Sequence, residues 1–145
     1  MDYKILDVGC GSLKGHHPIL EARTLRVDLQ KTRFNRSYLH VQCSAEYLPF
    51  KSSSFEMVVL NHVLEHVEDP IKTLKEAIRV SKKIVKIRVP HRFSKDARIE
   101  QHKRVFTRKW FQKTLNKYNF SIRTTYEPRF LFLNFPSELE VVIYK

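Results

Sequence analysis

The sequence predicts an α/β fold with a mostly parallel sheet, and three observations support this prediction. Strand-like and helix-like segments alternate along the chain, as they do in right-handed βαβ units. The segment Phe55–Leu60 is nearly all apolar, as expected for a central parallel strand that is buried on both faces. Two strand-like segments, Phe120–Tyr126 and Leu139–Tyr144, close the chain without a helix between them, which indicates an antiparallel hairpin.

Four more segments complete a predicted sheet of seven strands. They are Tyr3–Val8, Leu25–Asp28, Tyr38–Gln42 and Ile84–Val89. A short helix is expected near Pro18–Arg23, between the first two strands. The polar stretch His91–Arg104 has no clear period and is predicted to be a loop.

Two further helices are predicted from their starting residues and apolar periodicity. The first covers Pro70–Val80, with Asp69 as N-cap and proline in the first helical position. Its apolar stripe consists of Ile71, Leu74, Ala77 and Ile78. The second begins after Thr107, which can cap it. Its predicted buried face comprises Trp110, Phe111, Leu115 and Tyr118, with the two aromatic residues in the core rather than in a base-stacking platform.

The length and composition of the chain predict one domain over residues 1–145. No apolar run approaches the ~20 residues of a membrane helix, and the first residues do not resemble a secretion signal. The two cysteines, Cys10 and Cys43, do not make a disulfide framework and are expected to be reduced thiols. These features favour a cytoplasmic protein.

The charge of the chain is strongly asymmetric. Lys and Arg total 27 against 15 acidic residues, for a net charge of +12. Residues 82–129 contain 15 of the basic and 3 of the acidic residues, which leaves 12 of each elsewhere. The whole excess therefore lies in the C-terminal part, and this favours an anionic partner or substrate. A solvated basic surface that aids solubility is the alternative.

A glycine-rich turn after the first predicted strand indicates a nucleotide-type ligand. The sequence Ile5-Leu6-Asp7-Val8-Gly9-Cys10-Gly11 runs from the strand into the turn, where a ligand can approach the backbone closely. Asp28 ends the second strand, where a carboxylate can accept hydrogen bonds from both ribose hydroxyls. Together these features predict a cofactor that contains adenosine. An ordinary tight turn and a helix-capping aspartate are the structural alternatives.

Two details argue against a dinucleotide at this turn. The pyrophosphate fingerprint G-x-G-x-x-G lacks its third glycine here, and Pro18 interrupts the helix that should follow. Asp7 precedes the glycines, where it would repel a pyrophosphate but can help to hold a cationic methionine group.

The order of several motifs resembles that of class I methyltransferases that depend on S-adenosylmethionine (SAM), within the broad methyltransferase type 11 group. The motifs are residues 7–11 (DVGCG), Val27-Asp28, residues 45–50 (AEYLPF) and residues 55–67 (FEMVVLNHVLEHV). The similarity continues through Pro90-His91 and residues 102–107. This resemblance implies a Rossmann-like fold with a mostly parallel seven-stranded sheet, SAM as the cofactor and methyl transfer as the activity.

The resemblance also implies which residues surround SAM. They are Asp7, Gly9, Cys10, Gly11, Asp28, Leu29, Ser44, Ala45, Glu46, Asn61 and His62. Those of the glycine turn would shape the methionine and ribose pocket, while Asp28 would bind the ribose and Leu29 would lie against the adenine. The three residues after the third strand would lie on the adenine side. Asn61, through its backbone, and His62 would lie beside the methionine end.

The chain departs from the family pattern at three positions. Leu13 stands where a third glycine is usual, Ser44 where an aspartate often meets the adenine amino group, and Glu56 where an aspartate is usual. Ser44 can still form a hydrogen bond, although a weaker one. The N-terminal helical cap of many relatives is missing, so the active site is expected to be open or to be completed by a second subunit of a homodimer.

Two histidines are candidates for a general base. His91 and His102 border the expected acceptor side, and imidazole titrates near neutral pH. Surface or positioning roles are the alternatives for both. Glu65-His66 invites a catalytic interpretation too, although in the family this segment usually starts the helix after the fourth strand. No Cys/His spacing resembles a zinc site, so no metal is expected.

The methyl acceptor stays open at the level of the sequence. Residues 61–64 read NHVL in place of the D/N-P-P-Y/F segment of amino-directed methyltransferases, and no Pro-Cys nucleophile for cytosine is present. Small molecules, RNA and proteins remain as acceptors. Phe130, Phe132 and Phe135 are interpreted as an acceptor wall, a dimer surface or core. A non-catalytic module that binds through its basic face is the main alternative to an enzyme, and an NAD-type oxidoreductase is a third hypothesis.

Overall fold

The computed structural model describes residues 3–9, 23–30, 40–94, 102–129 and 133–145. Its strands are β1 (Ile5–Val8), β2 (Thr24–Asp28), β3 (His40–Gln42), β4 (Phe55–Asn61), β5 (Ser81–Pro90), β6 (Asn119–Arg129) and β7 (Leu133–Tyr144). Its helices are α1 (Pro70–Val80) and α2 (Arg108–Thr114). The helix predicted near Pro18–Arg23 falls almost wholly outside the described residues, and so do Cys10 and Gly11.

The strands form one sheet in the order β3-β2-β1-β4-β5-β7-β6. Neighbours from β3 to β5 run parallel, whereas β7 is antiparallel to both β5 and β6. The predicted α/β fold, with a mostly parallel seven-stranded sheet and a closing antiparallel hairpin, is therefore confirmed. The strand order changes direction between β1 and β4, which makes the carboxyl ends of these strands a topological switch point. Ligands usually bind at such a point in open α/β sheets.

The centre of the apolar core is formed by β1 and β4. Every residue of β1 is buried, and Val58, Val59 and Leu60 of β4 are buried beside it. Leu6 pairs in register with Leu25 on β2 and with Val58 on β4. A parallel strand that is covered on both faces requires a continuous apolar run, and this pattern predicted β4 correctly.

Helix α1 has the bounds that its sequence predicted. The Asp69 side chain caps it by accepting a hydrogen bond from the backbone N–H of Lys72 at 2.9 Å. Leu74, Ala77 and Ile78 are buried, together with Thr73 and Val80. The prediction that Ile71 belongs to the buried stripe was wrong, since this side chain is 46% exposed. Thr73 and Val80 are buried on the side of Leu74 that is opposite to Ile71. The centre of the buried face of α1 is therefore rotated away from Ile71.

Helix α2 begins after Thr107, whose side chain caps it by accepting from the backbone N–H of Trp110, as predicted. Phe111 and Leu115 are buried, and the indole of Trp110 packs edge-on against the Phe106 ring at 4.6 Å between centroids. The prediction that Tyr118 shares this buried face was wrong, because the helix ends at Thr114. Tyr118 lies beyond the last turn and is exposed.

The last three strands are longer than their apolar patterns indicated. Strand β5 starts directly after α1, and β6 and β7 are 11 and 12 residues long. Backbone pairing continues through polar and proline positions that interrupt the alternation, such as Tyr126 opposite Pro136. Phe130 and Phe132 lie outside the described residues, while Phe135 is exposed on β7. Among the described helices, neither is long and apolar enough to cross a membrane.

Candidate functional site at the carboxyl edge of the sheet

Three predicted site residues stand at the carboxyl ends of three neighbouring strands. Gly9 follows β1, Asp28 ends β2 and Asn61 ends β4. The order β2-β1-β4 places them side by side at the switch point. The backbone N–H of Gly9 donates to the carbonyl of Val27 at 2.8 Å, which continues the pairing of β1 with β2 into the turn. The sheet therefore brings these three positions to one edge, as the sequence predicted.

Gly9 is required at its position for two independent reasons. Its φ angle is +70°, a left-handed conformation that residues with a side chain rarely adopt. A Cβ atom added there would also lie 2.5 Å from Cγ2 of Val63, which is buried in the turn after β4. The first turn is thus packed directly against the segment that follows Asn61.

Asp7 is a buried carboxylate within this edge. It is 3% exposed, and its Oδ2 lies 4.0 Å from Nε of Arg26, the residue paired with it in register on β2. Burial raises the pKa of Asp7 to about 6; Arg26 opposes this shift and the nearby Asp28 adds to it. The sequence did not single out Arg26, because a basic residue inside a strand pattern gives no sign that it will be buried opposite an acid.

Asp28 and Leu29 form the outer part of the same edge. Oδ1 of Asp28 accepts from the backbone N–H of Gln30 at 2.9 Å, so the carboxylate is held in a tight local turn. The same hydrogen bond would also be made by a helix-capping aspartate, and residues 31–39, which would form such a helix, lie outside the described residues. Leu29 is 68% exposed, which leaves an apolar side chain open to a ligand beside the carboxylate.

The loop after β3 reaches both β2 and helix α1. The backbone N–H of Cys43 donates to the carbonyl of Asp28, and Oγ of Ser44 accepts from the backbone N–H of Glu46 at 3.2 Å. Ala45 packs against the core. The carboxylate of Glu46 turns toward the start of α1, where Oε1 accepts from the backbone N–H groups of Glu68 at 2.9 Å and Asp69 at 3.1 Å. The loop thus lies beside the end of β2, and the Glu46 carboxylate binds the protein backbone.

Asn61 carries an unsatisfied polar atom at the end of β4. Its side-chain Oδ1 is buried and has no hydrogen-bond partner among the described residues. A buried acceptor without a donor costs free energy that a bound ligand can recover. The sequence predicted a contact through the Asn61 backbone, and the buried side-chain oxygen adds a second acceptor at the same position.

His62 has a strained backbone and a fully engaged ring. Its φ angle is +52°, and its ring nitrogens lie 3.2 Å from Oε1 of Glu65 and 2.7 Å from Oε1 of Glu138. Hydrogen bonds to Glu138 and Glu65 raise the pKa of His62 to about 9, against the opposing effect of burial. The imidazole is therefore charged at neutral pH and cannot act as a general base. Glu138 is 76 residues away on β7, so no local pattern announced this pair.

His91 and His102, the two candidate bases, lie in different neighbourhoods. His91 follows β5, and its backbone N–H donates to the carbonyl of Ser137 at 2.8 Å. Its ring lies against that of Phe93, with 5.5 Å between centroids. Burial first, and then the positive charges of Arg92 and Arg108, lower the pKa of His91. This histidine is consequently neutral, as a base must be, at neutral pH.

His102 meets the Glu65-His66 pair rather than His91. Its ring contacts that of His66 edge to face, at 4.7 Å between centroids. Glu65, which is 1% exposed, completes a group in which one ligand atom from each residue lies within 4.8 Å of the others. Glu65 and His66 stand in a turn after β4, and the helix that follows begins only at Pro70.

Exposed basic residues extend from this edge over helix α2. They are Arg92, Lys103, Arg108, Lys109, Lys113 and Lys117. Phe93 is 60% exposed, and the guanidinium of Arg92 lies 4.4 Å from the centre of its ring. Trp110 and Phe111 belong to the core instead, as predicted.

Comparison with known proteins identifies the family. The methyltransferase domain family matches residues 6–87, more than half of the chain. An uncharacterised protein of Methanocaldococcus jannaschii is 31% identical over 84 residues, which are 56% of this chain and 37% of that protein. The chain thus matches well under half of the length of this curated relative.

Solved structures share the fold over nearly the whole chain. A SAM-dependent methyltransferase of Thermotoga maritima is similar with a TM-score of 0.71 at 17% identity, covering 98% of this chain and 82% of its own. One from Methanosarcina mazei has a TM-score of 0.67 at 16% identity, with 99% and 92% covered. A structure of the Haloferax volcanii complex between a methyltransferase and its activator Trm112 gives 0.71 at 13% identity, with 99% and 82% covered. At these identities the likeness shows the fold alone, which is the Rossmann-like fold of class I methyltransferases. The family match over more than half of the chain shows that this chain belongs to the methyltransferase domain family.

Proposed function

We propose that this chain binds SAM at the carboxyl edge of its sheet and transfers the methyl group to a small-molecule, RNA or protein acceptor, with residues 1–145 as one SAM-binding domain. The observation that carries the proposal is the convergence of Gly9, Asp28 and Asn61 at the switch point between β1 and β4. The buried Oδ1 of Asn61 supports the fit of the cofactor, because the ammonium group of a methionine moiety would supply the donor that it lacks.

The cofactor residues follow from this placement. In this proposal Asp7, Asn61 and His62 contact the methionine end of SAM. Gly9, Cys10 and Gly11 form the turn of the protein beside it. We assign the ribose hydroxyls to Asp28 and the adenine side to Leu29, Ser44, Ala45 and Glu46. The exposed side chain of Leu29 supports its position, since an adenine ring would cover the apolar surface that it leaves open. For Glu46 the backbone of the loop is the part that would face the cofactor, because its carboxylate binds the start of α1.

The chain's contribution to chemistry is mainly positioning. SAM, when bound, supplies a methyl group on a sulfonium that leaves readily, so donor and acceptor need only be held in line. An acceptor that must lose a proton requires a base, and His91 is the residue that suits this role. It is neutral near pH 7, it follows β5 beside the β4 end, and it lies against an exposed aromatic ring. His62, which is charged, would instead add a fixed positive charge at the edge.

An anionic acceptor, with RNA as the leading polymer, fits the surface around His91. Arg92 and Arg108 are both close enough to lower the pKa of this histidine. The exposed Phe93 ring, with the Arg92 guanidinium over it, offers a face on which a planar group can stack. A second protein is a further proposed partner, since a structural neighbour was solved with an activator, and a homodimer would be another way to cover the open site.

Calorimetric titration of SAM and of its demethylated product into the purified protein tests the proposal. We expect micromolar binding by the unaltered chain. Asp28→Ala should weaken it roughly tenfold to a hundredfold, because charge-assisted hydrogen bonds to the ribose are lost. Glu56→Ala is the matched control, since this carboxylate lies near the amino end of β4 and pairs with Lys4 and Lys83.

The outcomes separate an enzyme from a binding module. Loss of affinity in Asp28→Ala but not in Glu56→Ala supports the cofactor site and justifies a screen of acceptors that begins with RNA. Absence of binding to both ligands by the folded protein would overturn the proposal, and the basic surface would then become the functional part of the molecule.

A further inference from the structure

A group of potential metal ligands lies beside the proposed cofactor edge and has no part in the scheme above. It consists of Glu65 and His66 from the turn after β4 and His102 from the segment before α2. These residues join two parts of the chain that are held together by other contacts. The backbone N–H of Lys103 donates to the carbonyl of Glu65 at 2.9 Å, and the Arg104 guanidinium donates to the carbonyls of Val67 and Glu68.

Glu65 provides the observation that points to a ligand. Its side chain is 1% exposed, and Oε1 is engaged by Nδ1 of His62 at 3.2 Å. The second oxygen, Oε2, is buried without a hydrogen-bond partner in the described part of the chain. Burying a carboxylate oxygen without a donor or a cation is costly, so a positive ion at this oxygen would remove the cost.

The two imidazoles specify what kind of ion would suit the site. Two histidines and one carboxylate favour divalent transition metals over Mg²⁺ and Ca²⁺, which prefer oxygen ligands alone. The ligand atoms lie within 4.8 Å of one another. A shared ion would draw them to about 3.3 Å apart, given metal–nitrogen distances of ~2.1 Å. His66 is exposed, so its part of this adjustment would take place at the surface and not within the core.

We propose that Glu65, His66 and His102 bind one divalent transition-metal ion, with coordination positions left open to water or to an oxygen of a ligand. The hydrogen bond that Nδ1 of His62 donates to Glu65 would connect this site to the end of β4 beside Asn61. Carboxylate and hydrogen-bond partners of this kind orient metal ligands in general. The proposal replaces the general-base interpretation of His102. The sequence indicated no metal site, since His66 and His102 are 36 positions apart, far outside the spacing of zinc motifs.

Titration with Co²⁺ followed by its visible absorption, and with Zn²⁺ by calorimetry, tests the site at pH 7.5 without any cofactor. We expect one ion per chain and no competition from excess Mg²⁺. His66→Ala and His102→Ala should each weaken binding by roughly tenfold or more. His91→Ala is the matched control, since it removes a described histidine that is not part of the group.

The result would overturn the proposal if the folded protein bound neither ion, or if His91→Ala weakened binding as much as the group variants. Replacement of the buried Glu65 could unfold the protein, whereas His66 is exposed and His66→Ala should preserve the fold. The test is therefore decisive through His66→Ala. Glu65→Gln, which retains size and removes charge, should lower affinity as well. The melting temperature of each variant without metal distinguishes lost ligands from lost structure. Failure of this site would leave the SAM titration unaffected.

Discussion

At the scale of single residues, the carboxyl edge of the sheet combines an unusual backbone conformation with polar groups that are costly to bury. Gly9 has a left-handed backbone conformation, and Val63 packs against it where a side chain would otherwise lie. The side-chain oxygen of Asn61 is buried without a hydrogen-bond donor among the described residues. Asp7 is buried with Arg26 4.0 Å away. Backbone strain and buried polar groups without hydrogen-bond partners are commonly found at the functional sites of folded proteins. Their concentration at one edge therefore agrees with the proposed cofactor position.

Asp7 should make folding stability depend on pH in an unusual direction. Its pKa is about 6 in the folded chain against an ordinary 3.8, so the fold favours the protonated form. The stability that Asp7 contributes to the fold is therefore fully present below pH 3.8 and is lost as the pH rises through 6. Relative to Asp7→Asn, the unfolding free energy of the unaltered protein should fall by about 2 kcal/mol between pH 4 and pH 7, as measured by urea denaturation.

Glu56→Gln provides the opposite control for this measurement. Lys4 and then Lys83 lower the pKa of Glu56, so its contribution to stability is present at neutral pH and is lost on acidification. A difference between the Asp7→Asn variant and the unaltered protein that stayed constant across this range would show that Asp7 is ionised normally in the fold.

At the scale of elements, Glu46 connects the loop after β3 to helix α1. Its carboxylate accepts two backbone N–H groups just before the helix, where negative charge also complements the helix dipole. Glu46→Ala should therefore destabilise the protein by about 1–2 kcal/mol in urea denaturation. SAM affinity should change much less than in Asp28→Ala. Lys75→Ala, an exposed position inside α1, is the control expected to be near neutral.

The opposite pattern for Glu46→Ala would restore the role that the family resemblance implied. If SAM affinity fell sharply while the unfolding free energy stayed the same, the carboxylate would have to leave the helix and face the adenine.

At the scale of the whole molecule, the net charge of +12 and its concentration in residues 82–129 should govern binding to polyanions. If RNA contacts about five phosphates, its affinity should fall roughly a hundredfold between 50 and 200 mM salt. Arg92→Ala/Lys109→Ala should reduce both the affinity and the salt slope, as measured by fluorescence anisotropy. Lys82→Ala/Lys83→Ala, at the amino end of β5, should change them less.

A flat salt dependence would remove RNA from the set of acceptors. An equal loss in both double variants would mean that charge acts without a defined surface, and small molecules or proteins would then be tested first.

Local patterns in the sequence were sufficient for the architecture. The apolar run of β4, the capped stripe of α1 and the alternation of elements predicted a parallel sheet that the structure confirms. Gly9 and Asp28 could also be placed, because the residues that end parallel strands meet at one edge by geometry alone. Tyr118 was misplaced because helical periodicity does not reveal where a helix stops. The long hairpin was underestimated because pairing between β6 and β7 does not require apolar alternation.

The sequence by itself determined the helices and strands, the family resemblance and the residues that end the strands. These features depend on residues close together along the chain. Only the tertiary structure decided which polar side chains meet. The bond from His62 to Glu138, the capture of Glu46 by α1 and the approach of His102 to Glu65 and His66 all join residues more than 20 positions apart. Such contacts depend on how strands and loops pack in three dimensions, and no periodicity along the chain encodes that packing.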